Sequence, residues 1–279
     1  DLRTSRGLGD VYKRQALAEA DQHQVHLELA RDFMSAGLLD RAEMLLQEVI
    51  QESSPLQSIA QRYLLDIYQD ESEWSDAIAV AQSLLQSKYA KSNAEARREL
   101  TRMMAHFYCE LTDDALVQGN VSLASQHLQQ AVAIDKFALR VVLLSAEQDI
   151  ANGRFKAAIK HIAKLQQQSP NWFFACLPSL LKAYTGMDKE TGFGAFVGHI
   201  EEYLRDHDSI AVLEFLIGEC LSRMQADATL QGRLLSLINT YYANHPGLES
   251  ASRLMDMHLR MSAASTDYAV LELHKQIKE

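Results

Sequence analysis

Apolar residues recur along the chain with the spacing expected of helices that bury one face. Leu29, Ala30 and Phe33 fall on one side of such a helix, and residues 64–68 repeat the pattern. Four further amphipathic stretches share this periodicity: AEMLLQEVI at 42–50, AIAVAQSLL at 77–85, ASQHLQQAVAI at 124–134 and AAIKHIAKL at 157–165. The pattern predicts a chain built from helices.

The same short block precedes each of the four stretches. It contains a small residue, a bulky apolar residue two positions later and an alanine three positions after that. A small residue can adopt the backbone of a tight turn, and alanine lets two helices cross closely. We expect the bulky residue to fill the space between the two antiparallel helices. The packing residues predicted in this way are Gly37, Ala42, Trp74, Ala77, Gly119, Ala124, Gly153, Phe155 and Ala158.

The alanines recur every 34 or 35 residues, with one longer interval of 47. A helix–turn–helix unit of 34 residues is the tetratricopeptide pattern. We therefore predict an all-α tetratricopeptide solenoid, a right-handed superhelix with a concave face. Residues 16–171 are expected to form four clear repeats and residues 172–279 two or three diverged repeats. Residues 88–103 are expected to extend the first helix of the third repeat, and residues 1–15 are interpreted as a non-native or disordered tail.

The amino-acid composition supports this prediction and argues against several classes of function. The 279 residues include only 12 glycines and 4 prolines, too few for the many turns of a sheet protein. A net charge of −10 argues against general nucleic-acid binding. The sequence contains no apolar run long enough to span a membrane and no signal peptide. Three cysteines without a CxxC pair fit buried free thiols in a reducing compartment.

Several short motifs resemble those of catalytic, phosphate-binding or metal-binding sites. Glycines between 192 and 198 lack the spacing of a phosphate loop, and Ser179 with Lys182 lacks the companion motifs of an SxxK enzyme. His23 and His26 have no third zinc ligand nearby, and Cys109 is expected to be a buried or groove-lining helix residue. We therefore predict no catalytic residue, no metal ligand and no cofactor in this chain.

The first helix of each repeat is expected to line the concave face. Charged residues at inward positions have no folding role there, so they are candidates for charge-assisted binding of a partner peptide or helix. The alternative is that they are solvated charges that pair with one another. The candidates are Arg31, Arg62, Asp66, His106, Asp113, Arg140, Glu147 and Lys182.

Five stretches go beyond the repeat skeleton: 29–49, 64–85, AHFYCEL at 105–111, 131–159 and 245–259, which includes RLMDMHL. In these the chain resembles the lipopolysaccharide assembly protein B family of Gram-negative bacteria. That family has an N-terminal membrane anchor, a cytoplasmic repeat array and a C-terminal rubredoxin-like metal knuckle with two CxxC pairs. Neither end is found here, so the resemblance implies an internal fragment, soluble by itself, of a protein at the cytoplasmic face of the inner membrane.

The resemblance also implies a function. Family members are non-catalytic adaptors that promote degradation of the lipid A pathway deacetylase by a membrane-bound AAA metalloprotease. They respond to an inner-membrane regulator of lipopolysaccharide level. Partners are then proteins, with no nucleic acid and with membrane contact only through the anchor. Two alternatives stay open: a generic tetratricopeptide scaffold for other envelope or chaperone partners, and a substrate-presenting module of a truncated enzyme.

Overall fold

All regular secondary structure in the described residues is helical. This computed structural model describes residues 22–51, 55–224 and 228–264, and no strand occurs within those ranges. The tail predicted at residues 1–15 and the last part of the predicted diverged repeats, residues 265–279, lie outside them. The helices are α1 (22–35), α2 (Leu39–Gln51), α3 (Gln57–Asp70), α4 (Trp74–Gln86), α5 (Lys88–Ser92), α6 (Ala94–Val117), α7 (Val121–Asp135), α8 (Leu139–Ala151), α9 (Phe155–Gln168), a 3-10 helix (Pro170–Cys176), α10 (Leu177–Met187), α11 (Gly192–Asp206), α12 (Ile210–Met224), α13 (Ala228–Asn244) and α14 (Leu248–Ala264).

The small residue of each repeat block ends a helix in the same way. In all four blocks its backbone is left-handed, and two hydrogen bonds close the turn in the Schellman arrangement. In the first block, Gly37 N–H donates to the Met34 carbonyl at 3.0 Å and Leu38 N–H donates to the Phe33 carbonyl at 2.8 Å. The φ angles are 72° at Gly37, 61° at Ser72, 75° at Gly119 and 71° at Gly153. These recurring hairpins confirm the predicted all-α tetratricopeptide fold.

The alanine and the bulky residue of each block occupy different surroundings. Ala42, Ala77, Ala124 and Ala158 are buried, at the start of the second helix of each hairpin. Trp74 stacks on Phe107 of α6, with ring centroids 5.8 Å apart. A Cβ added at Gly186 of α10 would lie 2.5 Å from Phe155 Cε1, so that ring also reaches the following hairpin. Each large ring therefore packs against the first helix of the next repeat.

One expectation about the third repeat was wrong, and another was right for most of its residues. Val121 holds the bulky position there but is 65% exposed, because its short side chain has no ring with which to reach a neighbouring helix. Residues 94–103 extend the first helix of the third repeat, α6, as expected, whereas residues 88–92 form a separate short helix. Ser87 caps the short helix α5, and Asn93 starts α6 by accepting hydrogen bonds from the amides of Glu95 and Ala96. Two side-chain caps in quick succession break the run into separate helices.

Two compact units divide the described chain, residues up to 141 and residues from 142 onward. In the first unit these helices pack on one another in sequence order, α2 on α3, α3 on α4 and α4 on α6. Its core contains Leu46, Ile67, Leu84 and Phe107. Tyr68 links α3 to α2 by donating a hydrogen bond of 2.6 Å to Glu43. Burial and this carboxylate raise the pKa of Tyr68 to about 12.

The second unit contains a partly buried cluster of aromatic and histidine side chains. His199 of α11 accepts a hydrogen bond from the Tyr184 hydroxyl at 2.9 Å and donates one to the Gln166 side-chain oxygen at 2.8 Å. Both ring nitrogens are thereby satisfied in the neutral imidazole, and burial lowers the pKa of His199. Phe173 stacks on the same imidazole. The cluster joins α9, the 3-10 helix, α10 and α11.

Candidate functional site

The eight predicted partner-binding residues all fall on the first helices of hairpins. Arg31 lies on α1, Arg62 and Asp66 on α3, His106 and Asp113 on α6, Arg140 and Glu147 on α8, and Lys182 on α10. Their side chains are exposed or partly exposed. Because first helices recur once per hairpin, the charges recur with them. The structure brings only some of the eight into contact with one another.

Arg31 borders a depression between α1 and α3, with a volume of about 330 Å³. Its lining combines charged residues of α1 with two partly apolar residues of α3, Ile59 and Tyr63. Neither was predicted from the sequence, because an apolar position on an amphipathic helix is read as core. Ile59 is nevertheless exposed. The depression thus offers apolar surface together with charged groups, the combination that a peptide or helix uses when it docks. The remaining lining residues are Gln24, Leu27, Glu28 and Asp32.

Arg62 and Asp66 lie one turn apart on α3. The Arg62 guanidinium lies over the ring of Tyr89, 5.7 Å from its centroid. Partial burial raises the pKa of Asp66; the Arg62 charge opposes this, while Asp70 and Glu99 reinforce it. Glu99 belongs to α6, so this patch already joins the first helices of two successive hairpins.

Asp113 of α6 and Arg140 at the start of α8 form an ion pair. Both side chains remain partly exposed, so the pair contributes at most about 1 kcal/mol to stability. Here the structure favours the alternative that inward charges pair with each other. A partner that binds either residue must exchange this intramolecular contact for its own.

The other charged candidates are less engaged. His106 Nδ1 lies 3.6 Å from Glu110 of the same helix, and its ring is 6.3 Å from Trp74, so it faces α4. Arg31, Glu147 and Lys182 form no ion pair with any other residue that the structure describes. These three are exposed charges available to a partner.

The motifs considered as enzyme or metal sites take part in the packing of the fold. Gly192 opens α11 where a Cβ would overlap the Tyr184 backbone carbonyl, so it is a helix contact. Ser179 is buried, and His26 lies 3.4 Å from Glu48. Within the described ranges no three His, Cys, Asp or Glu residues are arranged to hold a metal ion. Burial raises the thiol pKa to about 12 at Cys109, Cys176 and Cys220.

One polar cluster was not predicted. Asp149 is nearly buried, with its side chain 11% exposed, and it accepts a 2.8 Å hydrogen bond from Arg154 Nε across the turn between α8 and α9. His161 of α9 lies 3.5 Å from the other carboxylate oxygen. The sequence signal that could have predicted this cluster is an acidic residue and an arginine five positions apart, with the turn glycine between them. The cluster braces a hairpin and lies apart from the exposed charges.

Comparison with known proteins gives a consistent result. No protein-family model matches the chain. A protein of Escherichia coli K12 is 27% identical over 83% of the chain, and one of Haemophilus influenzae is 28% identical over 74%. Both have the same name. The chain has homologues named lipopolysaccharide assembly protein B. The resemblance found in the sequence is therefore confirmed.

The match covers only part of each relative. The chain spans about half the length of these lipopolysaccharide assembly proteins, 55% of the first and 50% of the second. Among solved structures, a tetratricopeptide repeat protein from Parabacteroides merdae covers 93% of the chain at 14% identity with a TM-score of 0.29. No helix in the described part of the chain is both long and apolar enough to cross a membrane.

Proposed function

We propose that the chain is a non-catalytic protein-interaction scaffold that acts in the regulation of lipopolysaccharide synthesis. Two findings support this proposal: homologues named lipopolysaccharide assembly protein B, and a fold of tetratricopeptide hairpins. Hairpin arrays of this kind present extended surfaces to other proteins. The assembly role in the name belongs to the relatives, and its extension to this chain is part of the proposal.

In each of the two units, the proposed partner surface follows the first helices. The observation that carries it is the recurrence of exposed charge on α1, α3, α6, α8 and α10, with Arg31, Glu147 and Lys182 free of intramolecular ion pairs among described residues. A charged side chain that makes no contact within the fold gains most from a charge-assisted hydrogen bond to a partner. In the first unit, the Ile59 and Tyr63 depression supplies the apolar part of this surface.

The partner we propose is the deacetylase of the lipid A pathway. In this proposal the scaffold presents the deacetylase to a membrane-bound AAA metalloprotease at the cytoplasmic face of the inner membrane, under an inner-membrane regulator of lipopolysaccharide level. The scaffold itself performs no bond-breaking step. Its contribution is to hold two proteins together, which raises the effective concentration of one near the other.

The experiment is a titration of the chain against immobilised, purified deacetylase. The test variant is Arg31→Glu with Lys182→Glu, because neither side chain forms an ion pair with a described residue and reversal leaves the fold intact. We expect its affinity to fall by about tenfold or more, since hydrogen bonds to charged groups are each worth about 1.5–3 kcal/mol when well formed.

The matched control is Lys156→Glu with Lys160→Glu on α9, a second helix. It changes the net charge equally, and its affinity should stay close to that of the unaltered chain. Absence of binding by the unaltered chain, or equal losses in both variants, would contradict the proposed surface.

A further inference from the structure

The chain is acidic overall, but a long stretch of its second unit contains no acidic residue. The sequence has 37 aspartates and glutamates and a net charge of −10, but none of them lies between Asp149 and Asp188. Basic residues in the same stretch are Arg154, Lys156, Lys160, Lys164 and Lys182. The stretch covers α9, the 3-10 helix and α10, all in the second unit.

Three of these lysines form a stripe along α9. Lys156, Lys160 and Lys164 are spaced four residues apart and are exposed, while Ala158, Ile162 and Leu165 face the core. No ion pair joins any of the three lysines to another described residue. Like charges at this spacing repel one another and weaken a helix. The stripe therefore has no role in folding that the structure reveals.

Two exposed aromatic side chains follow the stripe. Trp172 is 54% exposed and Phe174 is 47% exposed, on the 3-10 helix that packs against the end of α9. Phe173 between them is fully buried, with its ring centroid 4.4 Å from that of Tyr203. Because Phe173 anchors the 3-10 helix in the core, its two neighbours are held at the surface.

We propose that α9 and the 3-10 helix form a docking surface for a membrane that contains anionic lipids. Lysine is a flexible point charge that suits a field of headgroups, and it is depleted where proteins bind one another. Tryptophan is enriched where a membrane meets water, since its ring is apolar and its N–H is polar. Basic side chains beside exposed aromatics are the pattern of proteins that lie on such a surface.

The test uses the whole chain and vesicles of phosphatidylcholine with or without phosphatidylglycerol, at low salt. We expect the chain to cosediment with the anionic vesicles and to be released as salt screens the charges. Changing Lys156, Lys160 and Lys164 together to glutamine should weaken binding by about a hundredfold, since each lysine near such a surface contributes about fivefold.

A matched triple variant changes Lys91, Arg98 and Arg102 to glutamine, which alters the net charge equally on exposed helical positions elsewhere. It should bind like the unaltered chain. The second readout is fluorescence of a Trp74→Phe variant, in which Trp172 is the remaining tryptophan. Its emission should shift to the blue on anionic vesicles, and Trp172→Ala with Phe174→Ala should weaken cosedimentation.

Three results would overturn the proposal. One is no binding to anionic vesicles at low salt. Another is equal loss of binding in the two triple variants. The third is self-association of the chain at low salt that the α9 triple variant abolishes, with no vesicle binding, which would assign the stripe to a second copy.

Discussion

Ser72 offers a sensitive test of the repeat geometry. It occupies the turn position that Gly37, Gly119 and Gly153 occupy in the other blocks, with φ of 61°, and it is the one non-glycine residue with positive φ in the described chain. Its N–H reaches the Gln69 carbonyl at 3.3 Å, whereas the equivalent bond from each glycine is 3.0 Å. The serine side chain therefore places this turn under strain that glycine relieves.

The expected gain from Ser72→Gly follows from two opposing effects. A left-handed backbone costs a residue with a Cβ about 1–2 kcal/mol. Glycine in turn loses about 0.5–1 kcal/mol more conformational entropy on folding. The free energy of unfolding should therefore rise by about 0.5–1 kcal/mol. Urea denaturation followed by circular dichroism measures this directly.

The control makes the same chemical change three residues further along the chain. Ser75 lies in the first turn of α4 with helical backbone, so Ser75→Gly should lower the free energy of unfolding by about 0.5 kcal/mol. Gly119→Ser should also destabilise, because it introduces a Cβ at φ of 75°. If Ser72→Gly destabilised the protein as Ser75→Gly does, the shared left-handed turn would be refuted.

Three further predictions concern the second unit and the thiols. Gly192→Ala should lower the free energy of unfolding by about 1–3 kcal/mol in urea melts, because the added Cβ overlaps the Tyr184 carbonyl; an unchanged midpoint would contradict that contact. The pKa of His199 is lowered from its ordinary 6.5, so the folded state binds fewer protons; stability should be full above about pH 6.5 and fall as pH drops through that value. Urea midpoints measured against pH should show this, and His199→Gln should remove that dependence. Burial raises the thiol pKa to about 12 at Cys109, Cys176 and Cys220. These three cysteines should therefore react with a thiol reagent only after denaturation, and rapid reaction of the native chain would contradict their burial.

The turns were predictable from the sequence because a local rule governs them. A left-handed residue followed by a buried alanine leaves a fixed signature, and Gly37 with Ala42 displays it directly. Val121 was mispredicted because the same rule treats every bulky residue alike, although a ring and a short branched side chain differ in reach. The break at Asn93 depends on a side-chain cap, a weaker signal than the helical propensity around it.

The contacts of the site depend on residues far apart in the chain. The periodicity placed all eight charged candidates on first helices. It could not show that Asp113 meets Arg140, or that Arg31 forms no ion pair within the described ranges. The His199 cluster joins Gln166, Tyr184 and His199 from three helices, and no spacing of residues in the sequence predicts it. Such partnerships follow from the packing of hairpins, which the repeat pattern fixes only in outline.

The most direct test of the scaffold proposal is hydrogen exchange of the chain with and without purified deacetylase. Binding along the first helices should slow exchange in α1, α3, α6, α8 and α10, while the second helices α4, α7 and α9 keep their rates. Slowed exchange confined to the second helices would contradict the proposed surface. Unchanged exchange throughout, at saturating deacetylase, would contradict the proposed partner.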